Sequence, residues 1–198
     1  MMPTFPQTKD SVLRQLSDSE ESAAKLILGV SPAQASWQAE PGKSWNIWQC
    51  LHHLVLTNRI YTAAIMQAVV KGGSSGRTAA EGISPGWFGR WFISQLEPPA
   101  RRRIKTLPGM NPLAQGNLEQ AQREFAASHE EVREVLKHWD NVDFNQARFH
   151  SPFASLLKFT VGTGLLIITA HDRRHLWQAE RMKQTPGYPK ASCGCPQK

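Results

Sequence analysis

The densest group of chemically able residues in the chain is His171-Asp172-Arg173-Arg174-His175. Two histidines at i and i+4 of a helix stand about 40° apart around the axis and about 6 Å apart along it. Both imidazoles can therefore reach one metal ion. Two hydrogen-bonded histidines at a helix surface would show the same spacing. Position sharpens the choice, because His171 and His175 continue a stripe that starts at Ile168 and runs on to Gln178 and Met182. Buried imidazoles without partners cost about 1–3 kcal/mol each, and a shared ion satisfies both.

A third nitrogen is available from His52 or His53. Adjacent helical residues point about 100° apart, so only one of them faces a core. His53 shares three- and four-residue steps with Cys50, Thr57, Ile60 and Ala64, and is taken as the inward ligand. Three neutral imidazoles leave a coordination position open, the arrangement of a catalytic zinc or nickel site. Water or a thiol in that position loses its proton more readily.

Other residues have two readings each. Gln178 either hydrogen-bonds a ligand imidazole or sits at the stripe edge. His129 is a fourth ligand, or a core histidine supporting the site. Glu20 is a general base beside the metal or an ordinary helix-edge carboxylate. Cys50 is a thiolate ligand or a small core residue. Arg173 and Arg174 orient an anionic substrate or pair with an acid on a neighbouring helix. Cys193-Gly194-Cys195 is left unassigned, since metal sites usually need wider spacing.

Four helices must position these groups. Apolar residues at three- and four-residue steps predict helices over about 7–30, 45–70, 117–139 and 161–183. Ser31-Pro32 ends the first, and Ser44 is the expected N-cap of the second. Residues 159–168 are β-branched and contain Gly162 and Gly164, which admits a strand. The helical pattern that continues from them overrides it, so no strands are expected. Residues 72–114 form a long Gly/Pro-rich connection holding the aromatic cluster Trp87–Phe92. That cluster is expected to form a short helix that packs on the bundle or lids a cavity. The expectation is an all-α protein, a four-helix bundle with a long connection between helices 2 and 3. One domain over 1–198 is expected, with its core at about 8–183 and a flexible tail over 184–198.

At 198 residues the chain can bury a full core without disulfides. It carries 23 basic and 16 acidic residues, a formal net charge of +7. The run Arg101-Arg102-Arg103, with Lys105, has no interleaved aromatics, and no helix-turn-helix or RNP-like pattern accompanies it. Nucleic acid is therefore not an expected partner. Three cysteines, no apolar leader in residues 1–10, and an apolar stretch at 159–170 too short to cross a bilayer predict a cytoplasmic protein away from the membrane. A leftover apolar helix face suggests a homodimer.

Two motifs carry a family likeness. Pro41-Gly42-Lys43-Ser44-Trp45, followed by His53-Leu54, and the run His171-Asp172-Arg173-Arg174-His175-Leu176-x-Gln178-Ala179 resemble the second- and fourth-helix motifs of the DinB-like superfamily (DinB/YfiT type). The likeness spans about residues 8–183. It implies a four-helix bundle holding a divalent metal ion on three histidines, here His53, His171 and His175. Relatives in that superfamily include bacillithiol transferases and a mycothiol-dependent maleylpyruvate isomerase. The resemblance thus implies a metal-dependent enzyme, transferase-like or hydrolase-like, that activates a low-molecular-weight thiol or water for a small-molecule substrate. The alternative is a non-catalytic metal-binding stress-response module.

Overall fold

The computed structural model describes residues 4–72, 82–100 and 109–190. The basic run 101–105 and the Cys193/Cys195 pair lie outside them. Six helices and two strands make up the described residues: α1 (Lys9–Ile27), α2 (Pro32–Ser36), α3 (Ile47–Gly72), α4 (Trp87–Leu96), α5 (Leu118–Leu136), β1 (Arg148–Ser151), β2 (Ala154–Thr160) and α6 (Val161–Lys183). The protein is mostly helical. α3 packs against α5 and α6, and α1 packs against the same two helices from the other side.

Local chemistry sets the helix starts. Thr8 caps α1, its hydroxyl accepting from Ser11 N at 3.2 Å, and Asn117 caps α5 by accepting from Gln120 N at 2.8 Å. The expected cap of the second long helix was Ser44. The structure uses Asn46 instead, whose Oδ1 accepts from Gln49 N while Gln49 Oε1 accepts from Asn46 N. This is a reciprocal capping box, and it leaves the Ser44 hydroxyl to bond the backbone of Glu40. α1 ends at Ile27, short of the expected limit near residue 30, and Gly29 just beyond it takes a φ of 72°. Ser31-Pro32 instead opens a new short helix, because Ser31 and Gln34 form a second capping box.

The hairpin of β1 and β2 corrects the expectation of a chain without strands. Phe149 pairs with Phe159 and Arg148 with Thr160. Tyr61 of α3 meets Phe149 edge-on at 5.5 Å, and Phe88 and Phe92 of α4 cover Phe159. These contacts cross long stretches of chain, so no local pattern announces them. Thr160 ends the strand and caps α6, accepting from Thr163 N at 3.2 Å. The expected boundaries of α6 are the observed ones. α4 is the short helix expected at Trp87–Phe92; Phe92 is half-buried and Phe88 lies exposed against Phe159, while Trp87 remains 81% exposed. The segment 184–190, expected to belong to a flexible tail, lies against α2: Gln34 Nε2 donates to Pro189 O at 2.9 Å, and Tyr188 packs edge-on against Trp37.

The core is split in two. One apolar cluster holds Leu16, Tyr61, Val132 and Leu165; the other holds Ala23, Leu54, Phe125 and Leu176. A polar layer separates them, with one or more members from every long helix: Glu20 from α1, Asn58 from α3, His129 and Arg133 from α5, and Asp172 from α6. His129 and Asp172 are fully buried. No described helix is long and apolar enough to cross a membrane.

Candidate metal centre

His53, Thr57, His171 and His175 lie near the polar layer and open into a cavity of about 770 Å³. α3 supplies the first two and α6 the others. One ligand-capable atom from each of His53, His171 and His175 lies within 4.8 Å of the other two. The three residues picked from the sequence are thus brought together, and they form a histidine cluster able to hold a metal ion. His52 takes the other course: it stacks on Trp48 at 5.0 Å, and its Nδ1 accepts from Leu113 N at 3.2 Å.

Hydrogen bonds outside the cluster orient the rings. His53 Nδ1 donates to the Met110 carbonyl at 2.9 Å, which turns Nε2 toward the other two histidines. Thr57, one turn after His53, donates to the His53 carbonyl at 2.8 Å. Its oxygen is then left to accept from His171 Nδ1, at 3.4 Å. Nε2 of His171 and Nε2 of His175 face each other at 3.1 Å. Two lone pairs at that distance need a proton or a cation between them. Two nitrogens bound to one zinc ion at about 2.0–2.1 Å each stand at a similar separation, so the donor set fits a divalent ion. His175 Nδ1 makes no hydrogen bond of good geometry, and the Gln178 side chain is its polar neighbour. Trp45 closes one side, with its ring 4.6 Å from His53 and 5.5 Å from His175.

Burial holds all three imidazoles toward the neutral form that a metal requires. For His53 burial lowers the pKa, against the Met110 hydrogen bond. His171 and His175 fall well below the ordinary value, through burial first and then through the neighbouring cationic forms and Arg174.

The remaining candidates take their structural alternatives. Cys50 is buried in the apolar cluster with Leu51 and Leu54, and burial pushes its thiol up to about 12. His129 donates to Asp172 Oδ2 at 3.0 Å and to Glu20 Oε1 at 2.9 Å. Burial opposes its charge, but the two carboxylates win and push it up to about 9. Glu20 is held by His129 and Arg133 rather than turned to the cavity. Arg173 makes a two-pronged bond to Glu97 at 2.6 and 3.0 Å, and Arg174 donates to Gln95 O at 3.0 Å. Both tie the end of α4 to α6. The sequence reading assigned no role to Thr57, to the Met110 carbonyl or to the hairpin. Only Thr57 left a signal, being one helical turn from His53.

The site is thus a histidine cluster able to hold a metal ion, carried on two long helices of a mostly helical protein and open to a ligand-sized cavity. A family model described as the DinB superfamily matches residues 15–179, and the chain belongs to that superfamily. No curated protein and no solved structure matches it.

Proposed function

We propose that His53, His171 and His175 hold one divalent ion, zinc or nickel by the donor set, and that the protein is an enzyme of the four-helix DinB type. The proposed reaction is attack of a low-molecular-weight thiol, or of water, on a small electrophile in the adjoining cavity. A bound ion would supply a Lewis-acidic open position that makes such a nucleophile acidic at neutral pH. The chain's own residues do the rest. Met110 and Thr57 set the ring orientations, Trp45 screens one side from water, and the cavity admits the reactants.

The observation that carries this reading is the three-imidazole cluster lying in the wall of a cavity of about 770 Å³. Substrate sites typically have volumes of about 300–1,000 Å³. A non-catalytic metal-binding module would use the same ligands but has no need of such a space, and this favours the enzyme. Among the described residues lining the cavity, Glu40 is the one carboxylate. The site thus supports a nucleophile made acidic by coordination over one deprotonated by an aspartate or glutamate beside the ligands.

Elemental analysis tests the first half. Purified protein reconstituted with zinc or nickel should retain about one ion per chain, and His53→Ala or His171→Ala should lose it while remaining helical by circular dichroism. Absence of stoichiometric metal in the parent, or its retention in both variants, refutes the site. A screen of thiol–electrophile pairs and of esters, run on loaded and stripped protein, tests the second half. Turnover should appear only with the metal.

A further inference from the structure

The cavity has two unlike ends, arranged along α6. Residues facing it recur at helical spacing: Ile167 and Ile168, then His171, His175, Gln178, and finally Arg181 and Met182. From Ile168 to Met182 this stripe is about 21 Å long. The three histidines fall near its middle. Toward the start of α6 the wall is mainly apolar: Phe92 and Leu96 of α4 with Phe153 and Leu157 of the hairpin complete it, beside the hydroxyls of Tyr61 and Ser151. Phe92, Phe153 and Leu157 are only half-buried, so apolar surface is left facing the cavity. Toward the end of α6 the wall is polar and cationic. Lys43 and Arg181 line it against the single acid Glu40, while Arg174 is tied to the end of α4 through Gln95 O. Arg181 is held in place over the ring of Trp177, 5.0 Å from its centre.

We propose that this cavity takes a two-armed ligand: an alkyl, acyl or aryl arm packed among α4, the hairpin and the first turns of α6, and an anionic arm reaching Arg181 and Lys43. The inference rests on the function proposed above and deepens it by naming the substrate class. The centre of the ligand lies over the histidines, where the reacting bond would have to be. A small polar reactant alone leaves the apolar end unfilled. A purely apolar one leaves the cationic end unanswered. Only a molecule of mixed character uses both, because apolar contact rewards chain length while a cationic wall rewards negative charge.

The test uses 3-(alkylthio)propanoates with methyl, butyl and octyl chains, titrated calorimetrically into the zinc-reconstituted full-length protein. The octyl member should bind at least tenfold more tightly than the butyl one. Leu157→Gln should weaken octyl binding about tenfold and leave the methyl member nearly unaffected. The same titrations on His171→Ala remove any contribution from carboxylate binding to the ion. There the octyl acid should still bind more tightly than its methyl ester, and Arg181→Gln should reduce that preference by roughly threefold. No saturable binding of the octyl acid, or affinity independent of chain length, overturns the apolar arm. Equal binding of acid and ester in His171→Ala overturns the anionic arm. Failure of the metal site has a separate signature: no zinc retained by the parent, with chain-length dependence intact.

Discussion

His129 Nε2 donates to Asp172 Oδ2 at 3.0 Å, and Asp172 is the residue directly after His171 of the histidine cluster. The backbone of α6 therefore carries a cavity-facing imidazole and a core-facing carboxylate in consecutive positions. Asn58 holds the other oxygen of Asp172 at 3.0 Å, and Asn58 directly follows Thr57, the residue behind His171. The polar layer and the histidine cluster are thus built from neighbouring residues on the same two helices. Removing one member of a buried ion pair strands the other and costs about 3–5 kcal/mol. His129 keeps Glu20 as a second partner, so Asp172→Asn should lower the unfolding free energy by less than that, about 1.5–3 kcal/mol, in urea denaturation. It should also weaken zinc binding, since α6 loses the contact that sets its rotation. A loss below about 1 kcal/mol would show that the layer holds the helices loosely.

The same layer gives a pH dependence. His129 binds its proton up to about 9 in the folded protein, because Asp172 and Glu20 outweigh the cost of burial. The ordinary histidine value is about 6.5. Between these limits the folded state holds a proton that the unfolded state has released, so stability falls as pH rises. The contribution is complete below about pH 6.5 and is lost by about pH 9. Arg133 also faces Glu20, at 2.9 Å, and keeps its charge throughout this window. Urea midpoints should fall between pH 6.5 and 9.5 in the parent and stay flatter over that range in His129→Gln.

Thr57→Val isolates ring orientation from ligation. The substitution keeps the shape and removes the oxygen that accepts from His171 Nδ1. Partners of ligand imidazoles typically contribute about 10–100-fold in metal affinity. Because the bond is long, competition with a chelating dye should show a loss near the lower end, about tenfold, with stoichiometry unchanged. Cys50→Ala is the complementary control. The thiol lies in the core and outside the histidine cluster, so zinc affinity should hold while thermal stability drops modestly.

What could be read from the sequence was whatever depends on neighbours along the chain. The choice of His53 over His52 needed only helical spacing, and so did the shared face of His171 and His175. The limits of α6 followed from an uninterrupted pattern. The hairpin was hidden because β2 lacks clean alternation: Leu156 is 96% exposed beside the half-buried Leu157. Its stability comes from Phe149, Phe159, Tyr61 and α4, which are distant in sequence. His129 could be seen on an apolar stripe, but its partners lie 109 and 43 residues away. Nothing local distinguishes a histidine held between two carboxylates from one held by a metal.

Gly164 provides a test of how the hairpin is seated. In an exposed helix interior, glycine to alanine gains about 1 kcal/mol through helix propensity. Here a Cβ would meet Phe149 Cε1 and Cζ at 2.7 Å and Ile65 Cδ1 at 2.8 Å. Phe149 is fixed by its pairing with Phe159 and its contact with Tyr61, so it cannot retreat without moving β1. Overpacking of this kind typically costs about 1–3 kcal/mol, enough to exceed the propensity gain. Gly164→Ala should therefore lower the melting temperature despite improving the helix, and Phe149→Leu should recover part of the loss by opening the space. A melting temperature raised by Gly164→Ala alone would mean that β1 does not press on α6 as described.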